Sequence, residues 1–265
     1  MIERRAAFHA LHRAGRPLLL PNAWDHASAA ALAARGHPAI GTTSLGVAAT
    51  AGLPDGVAAT AAETLALARR LARLPVLLSV DVEAGFSDDP AEVAEYAREL
   101  AGLGVVGINL EDGRADGTLA DTEVAAAKIV AVKAAVPELF VNARTDTWWL
   151  GVDEPLPHTL ARARAYRMAG ADGIFVPGTV DLATLRVLTE RIDAPVNALY
   201  QPGGPGLAEL GGAGVARVST GSLLFRAALG AALAAADAVR DGGSTAAGGL
   251  PSYAEVQALV PAGGD

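Results

Sequence analysis

The stretch LLSVDVEAGF, residues 77–86, is an apolar run that ends in two carboxylates, Asp81 and Glu83, before Gly85 interrupts it. Side chains two apart on a β-strand point to the same face, so a strand here would carry both acids on one side. An apolar run bounded in this way is typical of a buried strand. Polar residues at the end of such a strand are candidates for a functional site.

Two further runs end in charged residues in the same way. The stretch VVGINLEDG, residues 105–113, carries Glu111 near its end, and LFVNAR, residues 139–144, ends in Arg144. If the three runs are parallel strands of one barrel, their C-terminal ends converge. The spacing therefore predicts that these charged ends and the two acids of residues 77–86 surround one small pocket.

Strand and helix signals alternate along the chain. The predicted strands are residues 18–21, 39–44, 75–83, 105–111, 139–144, 173–177, 195–199 and 216–219. The predicted helices are residues 3–15, 26–36, 60–73, 90–102, 121–135, 156–169, 181–191, 222–239 and 252–260, with a short helix after the loop 201–206. Residues 45–56 are predicted to form a long loop.

Eight successive strand-then-helix units predict a closed (β/α)8 TIM-type barrel, an α/β fold in which residues 1–240 form a single domain. Residues 241–265 are predicted to be a glycine-rich linker and a C-terminal helix that packs on the barrel or on a neighbouring subunit. The alternative is an open, doubly wound sheet. The absence of a G-x-G-x-x-G turn after the first strand counts against that alternative.

Composition excludes several classes of function. Of the 265 residues, 51% are apolar and 19% are charged, which is typical of a globular chain. The formal net charge of -8 disfavours nucleic acid and anionic membrane surfaces as partners, because phosphate groups attract basic surfaces. The chain has no cysteine, so disulfides, thiolate metal sites and cysteine catalysis are excluded. We expect a cytoplasmic protein without a membrane-spanning segment.

Three acids at adjacent strand ends, Asp81, Glu83 and Glu111, would repel one another unless a cation neutralised them. The chain has no cysteine and no H-x-H or H-E-x-x-H pair, so the ligands of such a cation would be oxygens. Oxygen ligands suit Mg2+ or Mn2+ rather than zinc. We expect Asp81 to bind the metal directly and the other two acids to bind it through water. The alternative is that some of these acids pair with Arg144 or cap the following helix.

Other strand ends supply groups that could bind an anion. The planar guanidinium of Arg144 matches a carboxylate or a developing oxyanion, and a structural ion pair in the barrel mouth is the alternative. The backbone N–H groups of Ser44, Leu45 and Gly46 could bind an anionic oxygen, or these residues could simply end a strand. Further candidates at predicted strand ends are Trp24 and Asn197.

Three loop features have an ordinary explanation beside a functional one. Asp55, in the sequence LPDG, has the composition of an ordinary turn. The loops 203–206 and 220–222 stand where many barrels bind phosphate, but glycine also ends helices. Arg114 is the one cation in the loop 113–120. We expect Arg114 to close over an anionic substrate, and the alternative is a solvated surface arginine.

Together these residues resemble the isocitrate lyase/phosphoenolpyruvate mutase superfamily over about residues 17–235. No single motif is specific for this superfamily, but the whole set of motifs in this order is. The matching motifs are PNAWD at 21–25, TTSLGVA at 42–48, LPDG at 53–56, SVDVE at 79–83, GINLED at 107–112, NARTD at 142–146 and DGIFVP at 172–177.

The resemblance implies a (β/α)8 barrel whose last helix is often exchanged between the subunits of an oligomer, usually a tetramer. It implies that Mg2+ is held by Asp81, Glu83 and Glu111, and that the substrate is a small 2-oxo or 2-hydroxy carboxylate or a phosphonate. The C–C or C–P bond beside the oxo carbon is broken or formed through an enolpyruvate-type anion. The implied substrate-binding residues are Trp24, Ser44, Leu45, Gly46, Asp81, Arg144 and Asn197, and the implied catalytic residues are Asp55, Arg114 and Arg144.

The loop after the Glu111 strand departs from the lyase pattern. Isocitrate and methylisocitrate lyases carry K-K/R-C-G-H there, with the cysteine as acid, whereas this chain has GRADGT at residues 113–118. Phosphonate-active members use lysine and asparagine in this loop, where only Arg114 could substitute. We therefore expect a Mg2+-dependent lyase or mutase-like enzyme, with phosphonomutase-like or oxaloacetate decarboxylase-like activity. The alternatives are phosphonopyruvate hydrolase-like phosphoryl chemistry and a catalytically silent barrel that binds a dicarboxylate.

The predicted helix 222–239 is nearly all apolar. A helix that is apolar on all sides needs burial on more than one side, and the glycine-rich tail behind it could let it reach a neighbour. We therefore expect a homo-oligomer, a dimer or a tetramer.

Overall fold

The computed structural model describes residues 2–179, 181–243 and 249–260, so the predicted tail 241–265 lies partly outside the described residues. Within them, all strands pair in parallel and follow one another around a ring. The strands are β1 (Leu18–Leu20), β2 (Asn22–Ala23), β3 (Ala39–Thr42), β4 (Leu77–Asp81), β5 (Gly107–Glu111), β6 (Phe140–Arg144), β7 (Gly173–Val176), β8 (Val196–Leu199) and β9 (Arg217–Ser219).

Strands β1 and β2 are two halves of one barrel strand that Pro21 divides. Proline has no N–H to donate, so the ladder is interrupted at this residue. β1 pairs with β9 and β2 pairs with β3, and the Pro21 carbonyl still accepts a hydrogen bond from the Gly41 N–H at 2.9 Å. The first strand thus joins the last to the second and closes the sheet. The predicted (β/α)8 barrel is confirmed.

Helices follow the strands and cover the outside of the ring. They are α1 (Ile2–Leu11), α2 (His26–Ala34), α3 (Ser44–Ala51), α4 (Ala61–Leu71), α5 (Pro90–Leu103), α6 (Thr122–Ala135), α7 (Pro155–Met168), α8 (Leu182–Arg191), α9 (Leu207–Gly212), α10 (Leu223–Arg240) and α11 (Tyr253–Gln257). Apart from α3, each corresponds to a helix that the sequence predicts.

The prediction of a long loop at residues 45–56 is wrong, because α3 occupies its first half. Thr43 precedes the first turn, and Gly52 ends the helix with a φ of 69°. That left-handed conformation favours glycine and is a common way to end a helix. The short run of alanine, glycine and valine has no clear polar face, so periodicity does not reveal the helix.

The strands bury apolar side chains outward, against the helices. Alternate residues such as Val80, Ile108, Val141 and Ile174 belong to one continuous core between the sheet and the helices. A smaller cluster, around Phe8 of α1, plugs the N-terminal mouth of the barrel. Because side chains alternate along a strand, the remaining positions point into the barrel.

The inward positions above this plug are polar and bonded to one another. Arg217 donates to Asn109 Oδ1 at 3.0 Å and to Ser219 Oγ at 3.1 Å, and Asn142 donates to the same Asn109 oxygen at 2.9 Å. The Arg217 side chain is 1% exposed. Its charge therefore lies inside the barrel, below the C-terminal mouth.

The last two helices differ from the others in their packing. None of the residues of α10 is buried, and Leu229 and Leu233 are 51% and 60% exposed. Near the start of α10, Phe225 packs edge-on against Trp24, with ring centroids 5.4 Å apart. Along the described stretches, no helix combines the length and the apolar character needed to cross a bilayer.

His12 follows α1 and is buried in the plug of the N-terminal mouth. Its ring stacks on Phe140 at a centroid distance of 4.1 Å, and its Nδ1 donates to the Phe8 carbonyl at 2.9 Å. Burial, and next the charge of Arg217, lower the pKa of His12 from 6.5 to about 3. The imidazole is therefore neutral in the folded protein at neutral pH.

The free energy of unfolding is expected to fall as the pH falls from 6.5 towards 3, because the unfolded chain binds a proton at His12 that the folded chain excludes. Between pH 6.5 and pH 5 this group alone should remove about 2 kcal/mol. We expect His12→Gln to give a flatter pH dependence in urea unfolding.

The matched control is His158→Gln, since His158 is exposed on α7. It should keep the wild-type slope of unfolding free energy against pH. A His12→Gln slope equal to the wild-type slope would contradict the prediction.

Candidate active site

A cavity of about 630 Å3 opens at the C-terminal ends of the barrel strands. The strand ends contribute Asn22, Thr43, Ser44, Leu45, Asp81, Asn109, Glu111, Arg144, Asp146, Phe175, Pro177, Leu199 and Ser219 to its lining. The loops and α10 contribute Asp55, Gly56, Val57, Gly113, Arg114, Ala115, Gly117, Trp149, Leu150, Gly221, Ser222 and Arg226. This is the face of a (β/α)8 barrel at which active sites are found.

Asp81 and Glu111 face this cavity from the neighbouring strands β4 and β5. Burial raises the pKa of the Asp81 carboxyl, Arg144 opposes the rise, and the charges of Asp55 and Glu83 add to it. Burial likewise raises the pKa of Glu111 against the opposing effect of Arg144, and Asp81 adds to that rise. The site therefore holds more negative charge than its arginine balances, and a bound cation would stabilise it.

Arg144 is fixed between two acids at the end of β6. Its NH1 donates to Glu111 Oε2 at 2.7 Å, and its Nε donates to Asp146 Oδ1 at 2.6 Å. The guanidinium carbon also lies 5.8 Å from the ring centroids of both Trp149 and Phe175. Burial by itself lowers the pKa of Arg144, but the neighbouring carboxylates raise it above its ordinary value. The structural ion pair is thus present, and it holds the guanidinium at the cavity wall.

Asp112 supports this arrangement from behind. Its side chain is 1% exposed, and its Oδ2 accepts from the Tyr166 hydroxyl at 2.6 Å and from Arg162 NH1 at 3.0 Å. Its Oδ1 accepts from the backbone N–H of Asp146 at 2.9 Å. Asp112 therefore fixes the acid that holds Arg144, although it does not line the cavity itself.

Ser44 and Leu45 lie in the first turn of α3 and line the cavity. The first N–H groups of a helix have no carbonyl partner within it, and the helix dipole favours negative charge at this end. The predicted anion-binding backbone is therefore the N-terminus of a helix rather than a bend after a strand.

Three residues that the sequence suggests as substrate ligands do not line the cavity. A Cβ at Gly46 would lie 2.7 Å from Trp24 Cβ, so this glycine lets the indole pack closely on α3. Asn197 is buried inside the barrel and donates to Ser219 Oγ at 3.0 Å. Trp24, Gly46 and Asn197 thus support residues of the wall instead of forming it.

Glu83 lies beyond the end of the strand that carries Asp81, so the prediction that one strand carries both acids is wrong. Strand β4 ends at Asp81, and Glu83 follows in a turn with a φ of 50°. The Glu83 carboxylate accepts from the Ala58 N–H at 3.0 Å and from the Thr60 hydroxyl at 2.7 Å. It borders a second cavity of about 480 Å3, which shares Gly56, Val57, Gly113, Arg114 and Ala115 with the first. The rule of alternating faces fails because the strand ends two residues earlier.

The loop 113–120 is more ordered than its composition suggests. Gly113 and Leu119 form an antiparallel bridge, and the Arg114 N–H donates to the Thr118 carbonyl at 2.9 Å. The Asp116 carboxylate accepts from the N–H and the hydroxyl of Thr118 at 3.0 and 2.6 Å. The Arg114 side chain itself is exposed and lines the cavity.

Four residues that line the cavity, Asn22, Asn109, Asp146 and Arg226, are not among the predicted site residues. Asn22 and Asn109 lie at inward strand positions, and the alternation of side chains could have identified both. Asp146 lies two residues beyond the end of β6, so the alternation of side chains along a strand does not predict its contact with Arg144. Arg226 lies in the first turn of α10, where no local signal distinguishes it from other helical arginines.

The arrangement of the acids bears on how a metal ion could bind. In residues 2–179, 181–243 and 249–260, no three His, Cys, Asp or Glu side chains converge on a position that could hold a metal ion. Asp81, Glu83 and Glu111 are therefore not arranged as three direct ligands. Mg2+ commonly binds through one or two carboxylates and several waters, and the oxygens of Asp81 and Glu111 fit that mode.

Comparison with known proteins gives consistent matches. The sequence model of the phosphoenolpyruvate phosphomutase family matches residues 8–240. An uncharacterized protein of Mycobacterium tuberculosis (strain H37Rv) is 50% identical over 257 residues, which are 96% of each chain. A 2-methylisocitrate lyase of Bacillus subtilis (strain 168) is 34% identical over 207 residues, 74% of this chain and 67% of the relative. An oxaloacetate decarboxylase of Ectopseudomonas mendocina (strain ymp) is 33% identical over 215 residues, 74% of this chain and 72% of the relative.

Among solved structures, a phosphoenolpyruvate phosphomutase from Streptomyces platensis subsp. rosaceus matches with a TM-score of 0.85 at 25% identity. The match covers 96% of this chain and 94% of that one, so the likeness extends over the whole barrel. The family match and the identity to these relatives show that the chain belongs to the phosphoenolpyruvate phosphomutase family, within the isocitrate lyase/phosphoenolpyruvate mutase superfamily.

Proposed function

We propose that the protein is a Mg2+- or Mn2+-dependent lyase or mutase-like enzyme acting on a small 2-oxo or 2-hydroxy carboxylate. The observation that carries this proposal is the pairing of two groups at one cavity. One is Asp81, which has no ion-pair partner in the described part of the chain, and the other is the fixed guanidinium of Arg144. Family membership supports the reaction class, because the named relatives are a lyase and a decarboxylase.

The roles of the wall residues follow from their chemistry. Asp81 would hold a Mg2+ ion directly, and Glu83 and Glu111 would hold it through water. When bound, the ion would supply Lewis-acid chemistry at the substrate's oxo group. The Ser44 and Leu45 N–H groups bind a carboxylate oxygen of the substrate, and Arg144 binds the departing or transferred anionic group.

Two loop residues complete the proposed site. Asp55 lines the cavity, and its charge contributes to the raised pKa of Asp81, so it lies near the acids. We assign it a place beside the reacting group. Arg114 lines the cavity from the other loop and would pair with the distal anionic group of the substrate.

Decarboxylation of an oxaloacetate-like acid needs the fewest further groups. The C–C bond to the leaving carboxylate breaks, its electron pair forms the enolate, and the enolate then takes a proton. The cysteine acid of the related lyases has no counterpart in a chain without cysteine. We therefore propose decarboxylation of a 2-oxo acid and phosphonate rearrangement as the two candidate reactions of this enzyme.

A phosphoryl-transfer alternative depends on the glycine-rich loops. Gly221 and Ser222 line the cavity, but residues 203–206 do not contribute to its wall. The loop 203–206 therefore has no support as a phosphate site. A barrel that only binds a dicarboxylate is the remaining alternative, and turnover measurements separate it from an enzyme.

With Mg2+ present, we expect the purified protein to act on at least one of oxaloacetate, a 2-hydroxy dicarboxylate and phosphonopyruvate. Pyruvate release in a coupled assay and phosphorus NMR measure this. Asp81→Ala should abolish Mn2+ binding in calorimetry and lower turnover by more than about 100-fold, because it removes the proposed direct ligand.

Asp153→Ala changes an exposed acid outside the cavity wall and is the matched control, which should behave as wild type. Unchanged Mn2+ affinity in folded Asp81→Ala protein would exclude the metal site. A wild-type protein that binds these acids and converts none of them would be a binding barrel.

Arg114→Ala is expected to lower kcat/KM on the best substrate by roughly tenfold, the usual scale for one lost hydrogen bond to a charged group. Mn2+ affinity and thermal stability should stay near wild type, because the side chain is exposed. Arg164→Ala, an exposed arginine on α7, is the control. If kcat/KM of Arg114→Ala equals wild type, the loop 113–120 is only a connector.

We also propose that the protein is a homo-oligomer, either a dimer or a tetramer. The support is α10, which presents Leu229, Leu233 and other apolar side chains without burying any residue of the helix in its own barrel. A second copy is an occupant that would remove this apolar surface from water.

Light scattering at micromolar concentration should therefore give a mass above that of one chain. The double variant Leu229→Glu/Leu233→Glu should shift the protein towards a monomer, because each charge would be buried at the interface. Val130→Glu changes another exposed apolar residue, on α6, and should leave the mass unchanged. A monomeric wild-type protein would contradict the proposal.

A further inference from the structure

The loop of residues 53–60, which carries Asp55 to the cavity, is tied to the end of β4 by one buried carboxylate. Glu83 Oε2 accepts from the Ala58 N–H at 3.0 Å, and Glu83 Oε1 accepts from the Thr60 hydroxyl at 2.7 Å. Glu83 and Thr60 are 3% and 0% exposed. We call Glu83, Ala58 and Thr60 the latch.

Backbone conformation shows that the latch is held in place by its surroundings. Ala58 has a φ of 60° and Glu83 a φ of 50°, the left-handed region that residues with a Cβ adopt at a cost. Such outliers persist where the surrounding structure fixes them, and they cluster at functional sites. Here the two unfavourable residues meet through one hydrogen bond.

The position of Thr60 is not explained by the helix that it precedes. A threonine before a helix ordinarily accepts a hydrogen bond from a backbone N–H of the first turn. Thr60 precedes α4 and makes no such bond. Its hydroxyl donates to Glu83 instead, so its role lies in joining the loop to β4.

The backbone of the latch is also hydrogen-bonded to β5, the strand that carries the proposed metal ligand Glu111. The Glu83 carbonyl accepts from the Glu111 N–H at 2.9 Å, and the Val82 N–H donates to the Asn109 carbonyl at 3.1 Å. Glu83 thus links the strand end that carries Glu111 to the loop that carries Asp55. A shift of either element would be transmitted to the other.

We propose that Glu83 and Thr60 are positioning residues that hold the loop 53–60, and with it Asp55, over the cavity. Both oxygens of Glu83 already accept hydrogen bonds from the loop, so its carboxylate acts on the loop rather than as a direct metal ligand. The effect on turnover rests on the proposed function, whereas the effect on the loop does not.

Hydrogen–deuterium exchange of the full-length protein tests the latch without any substrate. Glu83→Gln and Thr60→Val should each raise the exchange rate of the Ala58 amide, within residues 55–60, by about tenfold, because each weakens a hydrogen bond to a charged group. Thr189→Val is the matched control, since the Thr189 hydroxyl donates to the Ala213 carbonyl at 2.7 Å on another part of the barrel. Unchanged exchange of the Ala58 amide in both variants would overturn the proposal.

Kinetics with Mg2+ then test whether the latch acts through Asp55. Thr60→Val should lower kcat by about tenfold and leave Mn2+ affinity and KM near wild type. In an Asp55→Asn background, Thr60→Val should lower kcat no further, because the group that it positions is already removed. An equal loss in both backgrounds would show that Thr60 acts elsewhere and would overturn the proposal.

The double variant Glu83→Gln/Thr60→Val completes the test. Its kcat should be no lower than that of the worse single variant, because the two residues share one hydrogen bond. If Glu83→Gln weakens Mn2+ binding while Thr60→Val changes neither exchange nor kcat, Glu83 is a metal ligand only and the latch is refuted. A wild-type protein without turnover would refute the proposed function, and the exchange result would still decide the latch.

Discussion

Carboxylates that are partly removed from water at the barrel mouth constrain the structure around them, because such charges are stable only when a partner or a cation compensates them. Arg144 serves Glu111 and Asp146 at once, at 2.7 and 2.6 Å. Asp81 receives no comparable partner from the described residues. Burial is the main cause of the raised pKa of Asp81 and Glu111, and the local negative excess left by one guanidinium among three acids adds to it. The same excess makes the cavity suited to a cation and to a substrate that chelates it.

Two further arginines lie behind and below this mouth and do not line the cavity. Arg162 pairs with Asp112 behind β5, and Arg217 lies within the barrel, bonded to Asn109. Burial lowers the pKa of Arg217 to about 9, and Asp81 is the acid that opposes this shift. An arginine in this place offsets part of the repulsion among the acids without occupying the cavity. The polar interior of the barrel is therefore part of the electrostatics of the site.

Sequence periodicity predicts the barrel well because each strand and helix signal is local. Apolar runs with polar ends predict the strands that carry Asp81, Glu111 and Arg144, and the structure has all three, although the first ends at Asp81 rather than at residue 83. The alternation of side chains along a strand does not apply to Glu83, which lies beyond the end of β4. The chain turns after Asp81 at Glu83, a left-handed residue that has a Cβ, and the hydrogen bonds that the Glu83 carboxylate accepts from the loop 53–60 are tertiary, so no local pattern predicts them. Likewise, the sequence predicts that Gly46 belongs to an anion-binding bend, but the position needs glycine because a Cβ there would lie 2.7 Å from Trp24 Cβ and 2.9 Å from Thr43 Cγ2.

Trp24 lies between α10 and α3, the helix whose N-terminus lines the cavity. Phe225 of α10 packs on Trp24, and Trp24 packs closely on Gly46, within the first turns of α3. The same helix presents the N–H groups of Ser44 and Leu45 to the cavity. Because packed side chains transmit small displacements, a displacement of α10 would reach these N–H groups through Trp24. An oligomer that fixes α10 would therefore also fix one wall of the proposed active site. The contacts that cover the apolar side chains of α10 would then affect the geometry of the cavity.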